Sequence, residues 1–103
     1  MIKRMPVLFV GHGSPINAIE KNEFNLTWKR IGQELPKPKA ILAISAHWQT
    51  EVPMVTGLKN PETIHDFWGF PQPLFELQYP ATGSDWLVKQ VTSLFDHVKI
   101  DYR

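Results

Sequence analysis

Val7-Leu8-Phe9-Val10-Gly11-His12 and Ala40-Ile41-Leu42-Ala43-Ile44-Ser45-Ala46-His47 are the stretches on which the fold reading turns. Each is an unbroken apolar run that ends in small residues and then a histidine. Neither alternates apolar with polar residues, the pattern of strands covered on both faces in parallel sheets. Between them Phe24, Trp28, Ile31 and Leu35 fall at i, i+4, i+7 and i+11, one face of a helix stopped by Pro36. Strand, helix, strand over about forty residues predicts a βαβ unit. A hairpin fits less well, because the connection is too long and too helical.

Working outward, residues 52–56 read as a short strand, with Pro53 confining it to an edge or a strand start. Residues 57–80 read as an ordered irregular segment carrying Phe67, Trp68, Phe70, Phe75 and Tyr79. Loops this long within a small domain are often functional. A second amphipathic helix is predicted over 85–96, with Leu87, Val91, Leu94 and Phe95 on its face and Ser84 as N-cap. Residues 98–102 alternate and read as a strand. The fold class is α/β, a mostly parallel sheet flanked by helices. The chain stops directly after that last strand, whereas functional loops in such folds follow strands. It therefore reads as an incomplete, truncated domain over residues 1–103.

Composition narrows the function classes. The chain has 103 residues, enough for one compact domain, with 43% apolar and 20% charged residues, ordinary globular usage. Lys and Arg total 11 against 10 Asp and Glu, a net charge of +1 with no basic run, so nothing points to nucleic acid. With no cysteine, disulfides, thiolate metal sites and cysteine nucleophiles are excluded, and any metal must be held by His, Asp or Glu. No apolar stretch approaches the roughly 20 residues that span a bilayer, and the start lacks a signal-peptide core. A soluble cytoplasmic protein without membrane contact is the expectation. Nine prolines, many of them in the middle of the chain, argue for extended loop there with few helices.

His12 lies two residues past the first run, within Gly11-His12-Gly13-Ser14-Pro15. Ligands in open α/β sheets gather beyond the carboxyl ends of strands, and neutral imidazole is the commonest protein metal ligand. A turn histidine bonded to the backbone, or a glycine-rich anion nest, are the plainer readings. His47 in Ser45-Ala46-His47-Trp48 holds the equivalent place on the second run. Neighbouring parallel strands lie about 4.8 Å apart, so two such tips would bring both rings to one ion with ligand distances of about 2.0–2.1 Å. The third cluster, Thr63-Ile64-His65-Asp66-Phe67-Trp68-Gly69-Phe70-Pro71, suits either a small-molecule pocket wall or a loop whose rings fill the core. From the residues alone, His65 reads equally as ligand, acid/base or exposed side chain. His97 reads as structural, at a helix C-terminus. Asp66, Glu62, Glu51 and Glu76 lack a spacing that singles one out as a ligand.

These segments resemble a known family. Gly-His-Gly-Ser-Pro-Ile-Asn-Ala at 11–18, Ile-Ser-Ala-His-Trp at 44–48 and Thr-Ile-His-Asp-Phe-Trp-Gly-Phe-Pro at 63–71 look like the 4,5-DOPA extradiol dioxygenase family, a branch of the class III extradiol ring-cleaving enzymes. Tyr79-Pro80-Ala81 with Gly83 resembles the segment after that loop. The resemblance implies a non-haem metal enzyme, iron(II) or zinc(II) bound, that opens a catechol-type ring with O₂. It implies His12 and His47 as metal ligands, His65 as a catalytic group near the substrate, and Ser14, Trp48, Asp66, Phe67 and Phe70 as substrate-binding residues. Family members are considerably longer, with further ligands in their C-terminal portion, so the resemblance implies an N-terminal portion that is inactive alone. Two alternatives stand beside it. A tetrapyrrole metal chelatase also opens with a strand and Gly-His-Gly-Ser, and a non-catalytic metal-binding fragment would self-associate as a homo-oligomer to cover missing core.

Overall fold

The computed structural model describes residues 4–103. They form a single 3-10 turn at Pro15–Ala18, helix α1 (Glu23–Glu34), strand β1 (Met54–Thr56), helix α2 (Gln72–Glu76), helix α3 (Asp85–Leu94) and strand β2 (Lys99–Asp101). The chain divides into two compact units, Met1–Pro38 with Ile64–Gln78, and Lys39–Thr63 with Tyr79–Arg103.

In the first unit, Asn22 opens α1. Its Oδ1 accepts the N–H groups of Phe24 and Asn25 at 2.9 and 3.0 Å, and Asn25 Oδ1 accepts the Asn22 N–H at 2.9 Å. This reciprocal box satisfies donors that no helical carbonyl can reach, and such a cap contributes about 1 kcal/mol. The helix stops where expected. Leu35 is extended (φ −72°, ψ 144°) because Pro36 disfavours helical backbone in the residue before it. Trp28, Ile31 and Leu35 are half-buried, but Phe24 is 60% exposed.

Helix α2 lies inside the segment expected to be irregular. Pro73 sits in its first turn, where a missing N–H has no helical acceptor to lose, so proline starts this helix rather than breaking it. Its Leu74 is the one buried hydrophobic residue among those described. The rings of Phe67, Phe70 and Phe75 form a small cluster beside it in sequence, with Phe67 5.4 Å from Phe70 edge-on and 5.0 Å from Phe75.

The second unit holds the sheet. β1 and β2 pair in parallel, Met54 with Lys99, Val55 with Ile100 and Thr56 with Asp101. Parallel neighbours need a crossover, and α3, packed against β1, supplies a helix for it. Ser84 caps α3 by accepting the Leu87 N–H at 3.2 Å. The helix ends at Leu94, so His97 lies in a turn three residues beyond it rather than in its last turn. Gly83 donates to the Lys59 carbonyl at 2.8 Å, and a Cβ at this position would run into the Leu58 carbonyl oxygen.

The βαβ unit expected over residues 7–44 is therefore not observed, and its counterpart spans 54–101. Among the described residues the sheet contains β1 and β2 alone. The two apolar runs carry no strand assignment, and Val7, Phe9, Ile41 and Ile44 are 97%, 101%, 71% and 91% exposed. The reason is physical. A strand's backbone groups need a neighbour on at least one side, and an apolar run by itself supplies none. No helix among the described residues is long and apolar enough to cross a membrane.

Candidate functional site

His12 stands in the loop between the first apolar run and the 3-10 turn. Its Nδ1 lies 2.9 Å from the Gly13 carbonyl oxygen. A carbonyl can only accept, so Nδ1 carries the proton and the lone pair of the neutral ring falls on Nε2. That bond is what a plain turn histidine makes. It is also how a ligating histidine fixes its tautomer, donating from one nitrogen to a carbonyl while the other takes the metal. Gly13 has φ +66°, left-handed backbone that a β-carbon would strain.

Ser14 Oγ accepts the Ile16 N–H at 3.3 Å and so caps the 3-10 turn. An open hollow of about 280 Å³ lies here, lined by His12, Ser14, Pro15, Asn17, Ala18 and Trp28. Its size is near the lower end of small-ligand sites. Of these, Pro15, Asn17, Ala18 and Trp28 are not among the site residues expected from the sequence. Trp28 reads as an ordinary member of a helix face, and Asn17, although it lies within the family-like run at 11–18, has no signal of its own that assigns it a site role.

His47 lies in the turn after the second run, exposed, with its backbone N–H donated to Ser45 Oγ at 3.1 Å. Trp48 N–H reaches the Ser45 carbonyl at 3.4 Å and closes the turn, and the Trp48 side chain is 43% exposed. Among the described residues neither run is paired as a strand, so no adjacent strand tips lie beneath His12 and His47. Among the described residues no three His, Asp or Glu come together as a metal-holding group.

Burial alternates along the first part of the third motif. Thr63, His65 and Phe67 are half-buried, while Ile64, Asp66 and Trp68 are exposed. His65 Nε2 lies 2.8 Å from the Leu77 carbonyl oxygen, to which it must donate, so its Nδ1 carries the lone pair. Its ring packs edge-on to Phe67 at 6.0 Å and tilted against Phe75 at 6.5 Å. Thr63 Oγ1 accepts the Tyr79 N–H at 2.9 Å. Within the motif the rings of Phe67 and Phe70 pack on each other, Phe67 also packs on Phe75, and the His65 imidazole stands at the edge of Phe67.

No family model matches the chain. Curated relatives do match it. It is 46% identical over 97 residues to the 4,5-DOPA dioxygenase extradiol of Escherichia coli (strain K12), covering 94% of this chain and 36% of that protein. It is 40% identical over 90 residues to the enzyme of the same name from Mirabilis jalapa, covering 84% of this chain and 33% of that one. The Beta vulgaris protein so named is 41% identical over 91 residues, with the same coverage of 84% and 33%. The chain spans about a third of the length of these relatives. It belongs to the 4,5-DOPA extradiol dioxygenase family.

Proposed function

We propose that the parent protein is an extradiol ring-opening dioxygenase that acts on a catechol-type aromatic such as DOPA with O₂, at a non-haem divalent metal held partly by His12 and His47. The observation that carries this reading is the 46% identity over 94% of the chain to a protein named 4,5-DOPA dioxygenase extradiol, repeated at 38–41% in three plant proteins of that name. The chelatase alternative rested on the opening Gly-His-Gly-Ser, and nothing further supports it.

The donor chemistry fits a divalent metal in kind. Imidazole suits iron and zinc alike, and the His12 tautomer directs its lone pair to Nε2. The number falls short of the three protein ligands that catalytic sites use, so the remaining ligands belong to the rest of the parent. When bound, such a metal supplies Lewis-acid polarisation of the substrate's hydroxyl oxygens. This chain's residues do the rest by position. His65, fixed at Nε2 by the Leu77 carbonyl, offers Nδ1 to take a catechol hydroxyl proton. The Ser14 hydroxyl, whose oxygen already accepts from Ile16, has its O–H to give to a substrate oxygen. Phe67 and Phe70 provide a flat apolar wall, with Trp48 and Asp66 as further substrate contacts.

The test is O₂ uptake with DOPA by the full-length parent, supplied with iron(II), following the loss of DOPA and the mass of the ring-opened product. Stoichiometric O₂ consumption and ring opening support the reading, and a parent that leaves catechols intact refutes it. The isolated 103-residue chain is expected to give no turnover.

A further inference from the structure

Three asparagines lock the His12 loop to the start of α1. Asn17 Nδ2 donates to the His12 carbonyl at 2.9 Å. Asn17 Oδ1 in turn accepts from Asn22 Nδ2 at 2.6 Å. The backbone carbonyl of Asn17 accepts from Asn25 Nδ2 at 3.1 Å, and the same amide group donates to the Glu20 carbonyl at 2.6 Å. Asn22 and Asn25 are themselves fixed by the capping box that opens α1. A chain of hydrogen bonds therefore runs from a helix end, through Asn22 and Asn17, to the peptide that carries the His12 ring. Asn17, Asn22 and Asn25 are all half-buried, where a mispaired amide is costly.

Capping explains only part of this. The helix needs the Oδ1 of Asn22, which accepts from Phe24 and Asn25. It does not need the Nδ2, which is spent on Asn17. Nor does the 3-10 turn need the Asn17 amide, since its cap is Ser14. Gly13 lies beside the relay, with a left-handed φ of +66° and room for a Cβ in ordinary contact, 3.4 Å from Asn17 Nδ2.

We propose that Asn17 is a positioning residue for His12, with Asn22 as its strut: the amide relay holds the His12 peptide, and through it the ring, in a preset orientation for the metal. This rests on His12 being a ligand, as proposed above. Hydrogen bonds one step removed from a ligand hold its orientation, and losing one weakens metal affinity about 10–100-fold.

The relay can be cut without removing the helix cap. Asn22→Asp keeps the oxygen that caps α1 and loses the donor to Asn17. Asn17→Asp loses the donor to His12. In the full-length parent, zinc(II) titration of the metal-free protein should show affinity 10–100-fold weaker for Asn17→Asp and weaker, by a smaller factor, for Asn22→Asp. A merely structural role would lower the unfolding temperature of the metal-free protein and leave zinc affinity of the folded state unchanged. In a His12→Ala background, Asn17→Asp should add no further loss, because its route to the metal is gone. If His12→Ala weakens zinc binding but both Asp variants bind like the unaltered protein, the relay is refuted while the ligand stands. Multiplying losses in the double variant refute it too. If His12→Ala itself leaves zinc affinity intact, the metal reading falls, and the relay with it. Should Asn17→Asp fail to fold, Asn22→Asp decides.

Discussion

Residues 40–44 and residues 54–56 are both short segments rich in apolar side chains, yet they stand in opposite conditions. Met54–Thr56 is bonded along its length to Lys99–Asp101 and backed by α3. Ile41 and Ile44 are 71% and 91% exposed, and no strand lies along them among the described residues. Val7–Val10 repeats the second condition, with Phe9 fully exposed. The longer and more apolar segments are the uncovered ones. An apolar run specifies that a segment is worth burying. Whether it is buried depends on partners, and relatives about three times as long have far more chain to supply them.

This contrast can be broken by the same substitution in two settings. If further chain covers the runs in the full-length parent, Phe9→Ala and Ile44→Ala should cost about 2–5 kcal/mol each there. In the 103-residue chain each should stay within about 0.5 kcal/mol, as for any exposed site. Denaturant melts of both proteins measure this, and equal effects in the two would overturn the account of the runs. On the covered side, Gly83→Ala should destabilise the 103-residue chain by about 1–3 kcal/mol, since the new methyl meets the Leu58 carbonyl and backbone yields poorly. Ser84→Ala should cost about 1 kcal/mol through the lost α3 cap.

The smallest effect expected concerns the end of β2. Asp101 Oδ1 accepts the Arg103 backbone N–H at 3.0 Å and its Nε–H at 3.3 Å. Chiefly the backbone bond, and then the guanidinium, hold its carboxyl below the ordinary 3.8. A lowered carboxylate pKa stabilises above the unfolded value, and that contribution is lost as pH falls through the folded one. Asp101→Asn should thus lower the melting temperature slightly at neutral pH and not at all in strong acid. A shift of the same size in acid would contradict it.

The helices were legible because their signals are local. Asn22 and Pro36 bracket α1, and Ser84 starts α3, each acting on backbone within a turn of itself. The strands at 54–56 and 99–101 were legible as segments, but their pairing was not. It joins residues 45 apart in sequence, with no composition signal to match them. Helix α2 was hidden because proline is read as a breaker unless its position in the first turn is known. In the site, the histidines stood out through their place after the runs. The asparagine relay did not, because an amide network has no period and is defined only once the loop has folded back on the helix start.

The proposed metal centre turns on His12 and His47. Metal content of the full-length parent and of its His12→Ala and His47→Ala variants, measured after purification by elemental analysis, addresses this directly. The unaltered parent should retain close to one metal per chain, and each variant should lose most of it while keeping the parent's circular dichroism. Variants that carry the parent's full complement would remove both imidazoles from the centre.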